Sequence, residues 1–100
     1  MRETPQIRFL TSGEVTADER AAAERAVRSA LADARGAVTS VEVTLSVVAD
    51  ASLPRPALAQ AVVVLDGRRL RAQAAAPRLE EAIGLLRDRL ALRASHLRAG

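Results

Sequence analysis

The side chains able to do covalent or acid–base chemistry are few and poorly spaced for it. His96 is the single histidine and there is no cysteine, so neither a metal cluster nor a nucleophile–base pair can be assembled around an imidazole. Near a chain end that is expected to be helical, His96 is a favourable cation at a helix C-terminus. Asp18-Glu19 and Glu80-Glu81 offer carboxylates, yet both pairs stand where helices are expected to begin, and a helix N-terminus favours acids with no chemistry attached. Gly13, Gly36, Gly67 and Gly84 are scattered and form no phosphate-cradling loop. No catalytic residue, metal ligand, cofactor or small-molecule substrate is assigned, and the chain is not expected to be an enzyme.

What the chain offers instead is arginine. All fifteen basic residues are Arg and none is Lys, against 12 acids, for a net charge of +3. With the alanine content this bias fits a GC-rich coding sequence, but the guanidinium is also a planar fork that matches phosphate and stacks on bases. Arg25, Arg28 and Arg35 lie beside the apolar stripe of an expected first helix, interspersed with Glu24 and Asp33; a solvated face and a binding face are equally good readings of them. The only aromatic residue is Phe9, in an expected core strand, which argues against reading bases by stacking on exposed rings.

One hundred residues suit a single domain able to bury a modest core. The lack of cysteine excludes disulfides and agrees with a cytosolic address. No apolar run approaches the roughly 20 residues of a membrane span, and the N-terminus MRETPQ has no signal-peptide core, so a soluble, cytoplasmic protein is expected.

The elements that must carry these side chains are organised around the stretch 59–75. Asp66-Gly67 is the dipeptide favoured by a two-residue type I′ turn, which sets Val63 opposite Leu70, Ala61 opposite Ala72 and Ala59 opposite Ala74 on an apolar face. The other face takes Val64 with Arg69, Val62 with Arg71 and Gln60 with Gln73, and a one-residue slip would put arginines in the core. Before this hairpin, 6–10 reads as a short strand ended by Thr11-Ser12-Gly13. Thr16 and Glu19 form a capping box that starts a helix at about Ala17; it carries Ala23, Val27, Ala30, Leu31 and Ala34 on one stripe and is stopped by Gly36. The stretch 38–49 alternates as a half-buried strand, and 50–58, with two prolines, reads as a loop.

After the hairpin, Pro77 is expected in the first turn of a last helix whose stripe is Leu79, Ala82, Ile83, Leu86, Leu90 and Leu97. Arg93 and Arg98 stand toward its negative end. Leu85 and Leu92 project well away from that stripe and need a partner, whether the first helix, a second copy or something outside the chain. The order is βαβββα, an α+β two-layer sandwich in which two helices cover one face of a four-stranded sheet. The other face, with Arg8, Glu42, Thr44, Ser46, Arg71 and Gln73, is expected to meet water.

This order of elements, with VTSVEVTLSV in the second strand, a hairpin ending LRAQAAA and a last helix carrying EEAIGLLRDRL, resembles the N-terminal domain of the ribosome hibernation promoting factor family. Within that family it looks closest to the actinobacterial dormancy-associated factors. The resemblance spans about Ile7 to His96, and its specific parts are Leu70-Arg71-Ala72-Gln73-Ala74-Ala75 and Arg93-Ala94-Ser95. It implies a cytosolic translation silencer that docks on the small ribosomal subunit, in the channel used by messenger and transfer RNA, through 16S rRNA backbone contacts. The matching helix positions are Arg25, Arg28 and Arg35 on the first helix and Arg87, Arg89 and Arg93 on the last. Glu80 and Glu81 depart from the family pattern and reduce the expected affinity.

The domain reading is one hibernation-factor-like domain over 1–100, with a loose lead-in at 1–5 and the start of a linker at 98–100, so that the chain is either a one-domain member or an excised N-terminal domain. The alternative function is a small protein-interaction module, or a weak homodimer, built on Leu85 and Leu92.

Overall fold

A computed structural model describes residues 5–34 and 36–99, and for 97–99 the helical backbone alone. Residues 1–4 of the expected lead-in at 1–5, Arg35, the side chains of Leu97 and Arg98, and Gly100 lie outside the described residues. The element order is β1 (Ile7–Ser12), α1 (Ala17–Leu31), β2 (Val38–Val47), β3 (Ala57–Leu65), β4 (Arg68–Ala76) and α2 (Leu79–Ala99). The sheet order is β1-β2-β3-β4, with β1 parallel to β2 and the remaining pairs antiparallel. This is the expected βαβββα arrangement.

The hairpin register is the one that Asp66-Gly67 dictates: Leu65 opposes Arg68, Val63 opposes Leu70, and Gln60 opposes Gln73. Asp66 and Gly67 take φ values of 52° and 77°, the left-handed pair that a type I′ turn requires. The turn also does something a hairpin pattern does not reveal. Asp66 N–H donates to the Ala37 carbonyl at 2.9 Å, and Ala37 N–H donates to Asp66 Oδ1 at 2.8 Å. The tip of the hairpin thus ties down the connection between α1 and β2. Gly36, at φ 120°, lies against the same carboxylate, and a Cβ there would run into the Asp66 side chain.

Several boundaries differ from expectation for local reasons. β1 continues through Thr11 and Ser12 because these residues pair with Leu45 and Ser46 of β2; the chain turns only at Gly13, φ 80°, where a Cβ would strike the Val47 carbonyl. β3 starts at Ala57 because Ala57 has partners on both sides, Val47 and Ala76, which outweighs the preceding proline. α1 ends at Leu31 rather than Ala34, since Ala32 N–H and Ala34 N–H bond three residues back, to Ser29 and Leu31 carbonyls at 3.2 and 3.0 Å, and tighten the final turn. Pro77 stands just before α2 instead of within its first turn; the first bond of that helix runs from Ala82 N–H to the Arg78 carbonyl at 3.1 Å. The α1 capping box forms as expected, with Glu19 N–H donating to Thr16 Oγ1 at 3.1 Å and Thr16 N–H to Glu19 Oε1 at 2.8 Å.

Both helices cover the same face of the sheet. Val41, Val43 and Leu45 of β2, the alternating residues Ala57 to Leu65 of β3, and Leu70, Ala72 and Ala76 of β4 form one cluster with Ala23 and Val27 of α1 and Leu86 and Leu90 of α2. No polar or charged residue is buried among the described residues, so every polar side chain of the sheet lies on the opposite, open face or at an edge. On that face Arg8, Arg71 and Gln73 are exposed, and Glu42, Thr44 and Ser46 are half-buried. In the loop between β2 and β3 the Ser52 hydroxyl and N–H donate to Asp50 Oδ1 at 2.7 and 2.9 Å and hold the Asp50 carboxyl below its ordinary pKa. The bonds that the charged form accepts are present above the ordinary carboxylate range and are lost as pH falls through the lowered value.

Candidate functional site

The arginines proposed from sequence fall on two separate flanks. On α1, Arg25 stands two residues from the buried Val27, about 200° round the helix, and points away from the core. It has no carboxylate partner among the described residues. Arg28 is different: its Nε lies 3.0 Å from Glu24 Oε2, an i, i+4 pair with both side chains about two-fifths exposed. Of the two arginines, Arg28 is therefore engaged locally and Arg25 is not. Arg35 lies outside the described residues.

The α2 arginines come together because of where this helix sits. Its buried stripe, Leu79, Ala82, Ile83, Leu86, Leu90 and Ala94, lies under β3 and β4, and one side of the helix reaches the outer edge of β4. There Arg89 Nη1 donates to the Gln73 carbonyl at 2.7 Å. A groove beside this contact is lined by Arg71 and Gln73 of β4 and by Arg89, Leu92 and Arg93 of α2. Arg71, Arg89 and Arg93 have no carboxylate partner among the described residues, so the groove carries three uncompensated guanidinium charges. A second groove, toward the N-terminal half of α2, is lined by Arg55, Pro77, Glu81, Leu85, Arg87 and Arg89, among others. It is closer to neutral, since it also contains Asp88, whose Oδ1 lies 3.2 Å from Arg87 Nη2. Arg25 and Arg28 line neither groove.

Two arginines missed by helix-by-helix reasoning therefore belong to this surface, Arg71 and Arg55. The register had already put Arg71 on the open sheet face; what was missing was that β4 is the outermost strand, so that a long side chain there can meet the helix beneath it. Arg55, in the proline-containing loop, had no periodic signal at all.

The two unexplained leucines are placed as well. Leu85 and Leu92 are 41% and 58% exposed and line the second and first grooves respectively. The first helix is not their partner: α2 meets α1 through Ala91, Ala94 and Ser95, which share a crevice with Ala30, Asp33 and Ala34. Both leucines thus lie along the β4 edge, interleaved with arginines.

An arginine-lined groove on rigid elements can bind phosphate oxygens by bidentate, charge-assisted hydrogen bonds. Among the described residues there is no cluster of three or more His, Asp or Glu that could hold a metal ion, and no helix is long and apolar enough to cross a membrane.

No protein-family model and no curated protein sequence matches the chain. Its structure, however, is similar to that of a ribosomal subunit interface protein from Coxiella burnetii, at a TM-score of 0.72 and 17% identity, covering 94% of this chain and 98% of that one. It is likewise similar to the N-terminal domain of Protein Y from Thermus thermophilus, at a TM-score of 0.74 and 24% identity, covering 94% of this chain and 100% of that one. TM-scores above 0.7 over 94% of the chain show that it shares the fold of these two proteins.

Proposed function

We propose that this chain is a ribosome-binding translation silencer of the hibernation promoting factor type. It docks on the small subunit in the channel for messenger and transfer RNA and holds ribosomes inactive in stress or dormancy, as a cytoplasmic protein. Within that family the chain is of the actinobacterial dormancy-associated kind, to which its sequence looks closest. The observation that carries the proposal is the groove in which Arg71, Arg89 and Arg93 converge without a carboxylate, on a fold shared with a ribosomal subunit interface protein. Phosphates of folded 16S rRNA supply what three converging guanidinium groups need, and a chain with Phe9 as its single aromatic reads RNA by backbone and shape. Arg25 on the α1 flank adds a further contact, with Arg28 and Arg87 available once their pairs with Glu24 and Asp88 open. The role is occupancy, with no bond made or broken.

The test is co-sedimentation of the chain with purified small subunits across a salt series. With about four phosphate contacts, affinity is expected to fall roughly a thousandfold for a tenfold rise in salt. Retention independent of salt would refute a phosphate-dominated mode. Absence of the chain from the subunit fraction at low salt would refute the partner.

A further inference from the structure

The outer edge of β4 carries backbone groups that phosphate binding does not use. In a two-residue hairpin the turn-closing pair, here Leu65 with Arg68, exchanges both backbone hydrogen bonds, and every second pair after it does the same. The N–H and C=O of Leu70, Ala72 and Ala74 therefore face β3, and those of Arg69, Arg71, Gln73 and Ala75 face away from the sheet. Because β4 is the last strand in the order, these groups form an open ladder edge on which another strand can add. Among the described residues that edge has one partner, the Arg89 guanidinium on the Gln73 carbonyl. Below it lie the exposed Leu85 and Leu92; above it, on the open face, are the exposed side chains of Arg69 and Arg71.

We propose that the β4 edge accepts, as a fifth strand, an extended segment of a partner protein in which apolar and acidic residues alternate. Strand geometry sets the pattern, since successive side chains point to opposite faces. One set covers Leu85 and Leu92, and the other meets Arg69 and Arg71 across the pair. The incoming N–H takes over the Gln73 carbonyl and releases the Arg89 guanidinium from it.

Charge selects this occupant over the others. Antiparallel pairing of two β4 edges would gather Arg69, Arg71, Arg89 and Arg93 of both copies along one seam, where their like charges repel. An RNA backbone would satisfy the guanidinium groups but has no N–H and C=O ladder for β4. The proposal is independent of ribosome binding, although the two share Arg89 and Arg93, so an added strand and a phosphate-filled groove exclude one another.

The experiment follows amide hydrogen exchange, residue by residue, while the chain is titrated with an octapeptide of alternating Glu and Val, blocked at both ends. Exchange at Arg71, Gln73 and Ala75 is expected to slow at least about tenfold, because free-edge amides become hydrogen-bonded. The R69E/R71E variant is expected to bind the peptide at least about tenfold more weakly. Of two versions, one N-methylated on its valines and one on its glutamates, one is expected to lose binding and the other to keep it, since only alternate residues face β4.

Equal binding of both methylated peptides, or no slowing at these amides, would overturn strand addition. Stronger protection of the same amides by an oligouridylate would assign the edge to RNA and overturn it too. Protection without peptide, together with a dimer in sedimentation equilibrium, would assign the edge to a second copy. None of these outcomes depends on the small-subunit assay.

Discussion

The two helices of this chain are held to the sheet by different means, and the difference decides which of them can present its charges. α1 buries two alanines, Ala23 and Ala30, with Val27 and Leu31, and its N-terminus is secured by the reciprocal bonds of Thr16 and Glu19. α2 buries Leu79, Ile83, Leu86 and Leu90 as well as Ala82 and Ala94. Burying a leucine removes far more apolar surface from water than burying an alanine, so α2 is the deeper anchor and α1 a lighter cover beside it. The arginines follow the same division. On α1, Arg28 is bound to Glu24 on its own helix, whereas Arg89 and Arg93 on α2 meet Arg71 from a strand. A guanidinium whose neighbour is a carboxylate one turn away is a local surface feature; guanidinium groups drawn from two elements make a site.

That contrast can be tested at three levels. The largest effect is expected in the core: Leu86→Ala in α2 should destabilise the fold by about 2–5 kcal/mol, and Val27→Ala in α1 by about 1–2 kcal/mol. Urea unfolding of the two variants measures both, and equal losses would mean that the helices are anchored alike. Next comes the division of charge. R71E/R93E should weaken association with small subunits at least about tenfold while leaving the urea midpoint unchanged, and R25E/R28E should weaken it less. A reversed order in the gradient would move the centre of the surface from the β4 edge to α1. The smallest effect concerns the cap: Thr16→Ala should cost about 1 kcal/mol, read as a shift in midpoint and as faster amide exchange confined to the first turn of α1. Exchange that quickens across α2 as well would show that the two helices open together.

Much of the architecture was legible in the residue pattern, for reasons that can be named. Asp66-Gly67 admits few turn geometries, and the register from Leu65–Arg68 to Ala59–Ala74 follows from it without knowledge of any other strand. Thr16 and Glu19 mark a helix start because their bonds are made within one turn. The boundaries that differed were those where a neighbour in space outvoted local chemistry: Thr11 and Ser12 remained in β1 through their pairing with β2, and Ala57 joined β3 through partners on both sides. The arginine surface was only half legible. Arg89 and Arg93 stood out on their helix, but nothing in their spacing linked them to Arg71 or Arg55, and nothing in the spacing of Leu85 and Leu92 said that they flank a strand edge.

The sequence by itself determined the hairpin, the start of the first helix, the inward faces of the strands and the absence of cysteine and of exposed aromatic chemistry, because each depends on interactions a few residues long or on composition. Only the tertiary structure decided that β4 is the outermost strand, that α2 runs beneath its edge, and that Arg89 reaches the Gln73 carbonyl there. Those are matters of strand order and helix placement, set by how every apolar face is buried at once, and no short stretch of the chain carries that information.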